Sequence, residues 1–168
     1  MKKVVLLIAA VLMVLPVFAQ KQTKEEKEAA AKALYDAAVQ SVNAKTFVII
    51  PSSYTDRNGE IQNVNDNNFF FSSEGNNLFA QGSMVCGNSY TNIMEATEYT
   101  PNFDKKGNLK LRIVVLGRML KGTYQISMRS NGNYADVIFT PINGTTLRFS
   151  GPLVPLNSVS YNKRSNPM

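Results

Sequence analysis

The sequence predicts an α+β domain, with one N-terminal helix packed on a strongly curved or barrel-like antiparallel β-meander of about seven or eight strands. Three observations carry that expectation. Residues 23–44 hold the only long stretch of helical periodicity. Leu109–Phe149 divides into four strand-like runs, Leu109–Leu116, Met119–Arg129, Asn133–Pro141 and Thr146–Phe149, separated by Gly117-Arg118, Asn131-Gly132 and Asn143-Gly144. Further strand-like runs precede them at Phe47–Ile50, Phe69–Phe71 and Tyr90–Tyr99. Closure of such a meander removes its edge strands, and a two-sheet sandwich is the alternative.

Residues 1–19 read as a secretory signal peptide. Lys2 and Lys3 form a positive start, Val4–Val17 is apolar, and Val17-Phe18-Ala19 ends on small residues at −3 and −1. The apolar run is shorter than the about 20 residues a spanning helix needs, so no transmembrane segment is expected once the signal is cleaved. No Cys follows it that could be acylated. Residues 20–168 then form a single domain, periplasmic or secreted, with a helix over 23–44 and a β-rich part over 45–161.

Within the helix, Thr23 and Glu26 fit a capping box. Ala31, Leu34, Ala38 and Val42 form an apolar stripe flanked by Tyr35 and Val39. A membrane-surface helix would carry larger apolar residues, whereas this small stripe suits close packing on a sheet. Pro51 ends the strand at Phe47–Ile50, and Ser52–Asn68 reads as a polar loop with a weak hairpin around Asp56-Arg57-Asn58-Gly59. A Glu74-Gly75 turn would pair Phe71 with Leu78, Phe69 with Ala80 and Phe70 with Phe79. Apolar residues on both faces there imply a sheet that is covered twice or curls over itself. Pro101–Asn108 reads as a loop, Gly151–Pro155 as an extended arm whose two prolines exclude a central strand, and Asn162–Met168 as a fraying end.

Registers follow from the turns of the meander. An Asn131-Gly132 turn, suited to positive φ at both positions, sets Met128 opposite Ala135, Ile126 opposite Val137 and Tyr124 opposite Phe139. A Gly117-Arg118 turn sets Leu111 opposite Tyr124 and Leu109 opposite Ile126. A three-residue loop, Asn143-Gly144-Thr145, pairs Phe139 with Phe149 and keeps Arg148 off the core face.

Phe47-Val48-Ile49, Asn68-Phe69, the Gly75 turn, the strand Lys106–Val115, and Gly151-Pro152-Leu153-Val154-Pro155 with Ser158-Val159-Ser160-Tyr161 carry a family resemblance. Over nearly all of residues 20–168 the chain resembles the secreted domains of unknown function numbered 4251, which occur mainly in gut and oral Bacteroidetes. The resemblance implies one exported domain. It implies no activity, cofactor or catalytic residue.

The composition narrows the chemistry. There is no His, which removes Ser-His-Asp and Cys-His catalysis and, with the single Cys86, ordinary zinc sites. No Gly-rich phosphate loop occurs, and no cofactor is implied. Cys86, beside Met84 and Val85, reads as a buried, inert thiol. Ser160-Tyr161-Asn162-Lys163 matches S-x-x-K without the Ser-Asp-Asn and Lys-Thr-Gly partners that give that motif meaning. Glu95, Glu98, Asp66, Asp104 and Asp136 are the carboxylates that a hydrolase would have to bring together.

Formal charge is +6 for the chain and +4 once Lys2 and Lys3 are removed. Residues 101–168 alone carry +8. The registers put Lys110, Arg112, Lys121, Arg129 and Arg148 on the outward side of the meander with Asp136 as the only acid, a candidate anion-binding face for an anionic envelope component such as a lipid phosphate or acidic glycan. Nucleic acid is a poor partner for an exported chain whose aromatic residues point to the core. The sequence therefore favours a non-enzymatic binding or envelope-interaction module, for a small apolar or anionic ligand. A carboxylate-based hydrolase and a structural accessory subunit are the alternatives. Intact-mass measurement of the protein from the envelope fraction is expected to give a chain starting at Gln20; a full-length chain in the inner membrane would contradict the signal assignment.

Overall fold

A computed structural model describes residues 23–165 and 167; the expected signal peptide lies outside the described residues. Helix α1 (Lys24–Asn43) starts at the predicted capping box, where the Thr23 hydroxyl accepts from the Glu26 amide at 3.2 Å and the Thr23 amide donates to Glu26 Oε2 at 2.8 Å. Lys45, in the left-handed region at φ 56°, turns the chain out of the helix. Its carbonyl accepts from the Gly75 amide and the Ser73 hydroxyl, which hold that conformation in place.

Among the described residues ten strands follow: β1 (Thr46–Ile49), β2 (Ser53–Thr55), β3 (Ile61–Asn63), β4 (Phe70–Glu74), β5 (Asn77–Gly82), β6 (Asn88–Phe103), β7 (Leu109–Gly117), β8 (Lys121–Met128), β9 (Tyr134–Pro141) and β10 (Leu147–Pro155). A one-turn helix, α2 (Ser83–Cys86), links β5 to β6. Strands β1 and β4–β10 pair antiparallel in the order β1-β4-β5-β6-β7-β8-β9-β10, and β10 pairs back to β1, closing an eight-stranded barrel. The hairpin β2–β3 continues the sheet from the first half of β10. The predicted α+β class with a barrel-like meander is the fold, and the sandwich is excluded.

Aromatic rings fill the barrel. Phe47, Phe71, Tyr124 and Phe139 form a column with centroid separations of 6.1, 4.3 and 4.2 Å, every member fully buried. An eight-stranded barrel is just wide enough for side chains to fill. Helix α1 packs against β1 and β10 at one end, burying Ala38, Ser41 and Val42. There the Tyr99 hydroxyl donates to the Val42 carbonyl at 2.6 Å, and the Tyr35 hydroxyl donates to the Gly107 carbonyl. The short α2 plugs the other end with Val85 and Cys86, and the Tyr124 hydroxyl donates to the Val85 carbonyl at 3.2 Å.

The Asn131-Gly132 register is found as predicted, although neither residue takes a positive φ. The other three hairpins differ from expectation by two residues each. Phe71 faces Ala80 and Ser73 faces Leu78, because the turn is Gly75-Asn76 with Gly75 at φ 71°. Ile113 faces Tyr124 and Leu111 faces Ile126, because Arg118-Met119 turns the chain and the Gly117 amide bonds the Leu120 carbonyl. Phe139 faces Leu147 rather than Phe149. A two-residue slip returns each side chain to the same face, so the inward and outward sets are unchanged.

Further expectations are corrected. Strand β6 runs through Pro101 to Phe103, beyond the predicted end at Tyr99. Gly151–Pro155 is barrel strand rather than arm. The Leu153 amide reaches the Asn133 carbonyl on the β9 side, so the missing N–H of Pro152 falls toward the other edge, at the break between β1 and β2. A Cβ at Gly151 would lie 2.1 Å from the Ile50 carbonyl, which is why a glycine stands at that crossing.

Residues up to Arg164 do not fray. The Asn162 amide bonds the Asn67 carbonyl, Tyr161 packs on Phe70 at 4.6 Å, and Lys163 lies over the Phe79 ring at 3.8 Å. Lys163 Nζ also reaches Glu74 Oε2 at 2.6 Å, and the Tyr161 hydroxyl donates to Glu74 Oε1 at 2.7 Å. This strap is the second cover implied by the two apolar faces of β4 and β5. Burial works against the Glu74 carboxylate, but donation from Lys163, Tyr161 and Ser72 outweighs it and holds the carboxyl below its ordinary range.

Leu34, expected at the middle of the buried stripe, is 52% exposed. Tyr35 takes its place against the barrel. Leu34→Ala is therefore expected to change stability by under about 0.5 kcal/mol, whereas Phe71→Ala should cost about 3–5 kcal/mol. Urea denaturation of the two variants checks this, and similar losses from both would contradict the packing described.

Candidate binding cleft

The end of the barrel plugged by α2 is also where the wall divides. Strand β10 pairs with β2 over Arg148–Ser150 and with β1 over Leu153–Pro155. Beyond Ile50-Pro51 the chain leaves β4 and runs along the first half of β10 as the β2–β3 hairpin. The hairpin is held by Asp56, whose Oδ1 accepts from the Asn58 and Glu60 amides, each at 2.9 Å. Those bonds, the Glu60 amide first, lower its carboxyl from the ordinary value.

An open cleft of about 580 Å³ lies between the hairpin, α2 and the β7–β8 and β9–β10 turns. Tyr54, Met84, Met119 and Leu147 supply apolar surface, and Arg57, Asn88 and Asn143 are among its polar groups. Gly82 at φ 111° and Gly87 at φ 80° bracket α2 and let one helical turn fit across the barrel mouth. Cys86 lies in the floor. The residue is 3% exposed, and its thiol donates to the Gly82 carbonyl at 3.3 Å and accepts from Asn92 Nδ2 at 3.3 Å. Burial pushes the thiol up to about 11, against the bonds from its neighbours.

None of the residues forming this cleft stood out as a site in the sequence. They come from four separated segments, and what marked them in the sequence was bends in the backbone: the glycines around α2 and the Asp56–Gly59, Gly117-Arg118 and Asn143-Gly144 turns.

The five cations of the candidate anion-binding face are all exposed on the outside of the barrel, but they do not converge. Arg112 and Arg148 lie in one cross-strand row, separated by Gln125 and Ile138, which is three strand spacings or about 14 Å. Lys121 starts β8 at the cleft end, whereas Arg129 follows its last residue at the α1 end. Arg112 is paired with Glu98, whose carboxyl that guanidinium lowers. Lys110 faces Ser127 in the row that holds Asp136.

The carboxylates are equally dispersed. Asp136 accepts from Ser150 at 2.8 Å, Asp66 from Asn68 at 2.6 Å, and Asp104 is lowered by bonds from the Asn108 side chain and amide in its turn. Glu95 faces Leu116 across β6–β7. No group of three or more Cys, Asp or Glu among the described residues is arranged to hold a metal ion. Ser160 and Lys163 of the S-x-x-K match belong to the strap, where Lys163 is committed to Glu74. No helix among the described residues is long and apolar enough to cross a membrane.

The fold has a counterpart among solved structures. The crystal structure of a DUF4251 family protein from Bacteroides eggerthii DSM 20697 matches at a TM-score of 0.68 and 24% identity, covering 79% of this chain and 94% of that one. This chain has the DUF4251 fold. The match agrees with the resemblance carried by the β1, Gly75 and Gly151–Pro155 residues. No family model matches the chain, and no curated protein matches it.

The floor of the cleft gives a direct check. Cys86 should react with a thiol reagent far more slowly in the native protein than after unfolding in urea, because the thiolate is both buried and disfavoured at neutral pH. Equal rates would mean that α2 does not stay seated in the barrel end.

Proposed function

We propose that the chain is an exported, non-catalytic binding module whose ligand enters the cleft at the α2 end of the barrel. One observation carries this reading. The barrel interior is packed with aromatic rings, and a cleft of about 580 Å³ lies open beside α2. That volume falls within the about 300–1,000 Å³ usual for small-molecule sites. Its lining favours a compact amphiphile. The apolar body would lie against Tyr54, Met84 and Leu147, and a polar or anionic end would meet Arg57, Asn88 or Asn143.

The carboxylates support a binding role over hydrolysis. Those whose ionisation is shifted, Asp56, Glu74, Glu98 and Asp104, are all lowered, so each favours the charged form. A general acid for glycoside hydrolysis needs the opposite shift. Export is supported by the signal-like residues 1–19.

Anilinonaphthalene sulfonate, a fluorescent anionic amphiphile, is a suitable probe. Native protein should bind it saturably, and Met84→Glu should weaken binding by about tenfold through like-charge repulsion in the cleft, with the melting temperature unchanged. Absence of saturable binding to the native protein would overturn the proposal.

A further inference from the structure

At the same end of the barrel, two turns that form part of the cleft's rim stand side by side. The β7–β8 turn carries Arg118 and Met119, and the β9–β10 turn carries Ile142. The Ile142 amide donates to the Lys121 carbonyl at 2.9 Å, which fixes one turn against the other. Ile142 is 72% exposed, Met119 50% and Leu116 49%. These are large apolar side chains at the tip of a fold whose other large apolar groups are mostly buried.

Charge accompanies them. Residues 116–121 and 141–148 contain Arg118, Lys121 and Arg148 and no acid. The acids set near these segments are Glu95, opposite Leu116, and Asp56, which follows Thr55 opposite Arg148. Exposed apolar tips ringed by cations fit an interface in which hydrocarbon lies beneath a layer of negative charge. A protein partner would supply a complementary shape; these two turns supply only protruding side chains and positive charge.

We propose that the β7–β8 and β9–β10 turns form a docking surface for an anionic lipid membrane. Ile142 and Met119 enter the boundary between headgroups and acyl chains, while Arg118 and Lys121 meet lipid phosphates. This surface shares Met119 with the rim of the cleft, whereas Arg118, Lys121 and Ile142 do not line it, and it does not depend on a ligand there. It also moves the anionic partner expected for the meander from the strand face to the barrel end, with Lys121 as the residue common to both.

The test is co-sedimentation with vesicles, using the chain from Gln20, which contains the barrel and both of its caps. Vesicles are phosphatidylcholine alone or mixed equally with phosphatidylglycerol. Wild type should bind the anionic vesicles at low salt, weaken at physiological salt as screening shortens from about 30 Å to about 8 Å, and leave neutral vesicles unbound. Each cation near an anionic surface contributes about fivefold, so Arg118→Glu/Lys121→Glu should lose more than about twenty-fold. Ile142→Asp should lose binding at every salt concentration.

Lys110→Glu/Arg129→Glu, on the strand face, should bind as wild type does. Unchanged melting temperatures show that the variants remain folded. Absence of wild-type binding, full binding by Ile142→Asp, or loss confined to the Lys110/Arg129 variant would each overturn the proposal. Anilinonaphthalene sulfonate binding by the Ile142→Asp protein reports the cleft separately.

Discussion

The column Phe47–Phe71–Tyr124–Phe139 is the contact on which the rest of this structure depends. Its members come from four strands, β1, β4, β8 and β9, so stacking them requires the meander to close on the N-terminal strands. Offset aromatic pairs contribute about 0.5–1.5 kcal/mol each beyond the area they bury. The column also occupies the volume in which a wider barrel would hold a ligand. Tyr124 places a polar hydroxyl within it, and that hydroxyl is satisfied by the Val85 carbonyl. The need to satisfy one buried group thus ties the barrel centre to α2, and through α2 to the floor of the cleft.

Closure creates the opening as well as the core. Strand β10 offers one edge to β9 and divides the other between β1 and β2. The division falls at Pro51 and Pro152, residues that cannot supply ladder amides, and at Gly151, where the backbones cross too closely for a side chain. From that point β1 stays in the barrel wall and β2 departs with β3. The proline-rich run that argued against a central strand is what permits the wall to split without stranding buried N–H groups.

Much of the fold was legible because alternation of side chains reports the face of each residue. Leu109, Leu111, Ile113 and Val115 point inward whichever turn precedes β8, and three hairpins with registers displaced by two residues kept every face as read. Register was less legible. Two turns separated by one step along the chain satisfy the same pattern, and the choice is made by contacts elsewhere, such as the Gly75 amide on the Lys45 carbonyl. Leu34 was misjudged because its stripe and that of Tyr35 lie one residue apart on the helix, and the larger residue reaches Gly107. The strap was illegible by itself, although its effect on β4 and β5 was visible as a second apolar face. The cleft was hidden because its walls meet only in the folded chain.

The distribution of charge follows from this architecture. On strands, outward residues on successive strands are held about 4.8 Å apart and point radially from a curved wall. Cations there diverge, and one of them, Arg112, is answered by Glu98 on the neighbouring strand. At the turns the geometry is different. The β7–β8 and β9–β10 connections emerge at one end, meet at the paired strands β8 and β9 and present their tips together, so a modest number of cations and apolar side chains can act on a single surface. A formal charge of +8 over residues 101–168 therefore does not make the meander a uniform anion-binding face. What decides where an anionic partner can be met is convergence, and in this barrel convergence belongs to the turns beside the cleft.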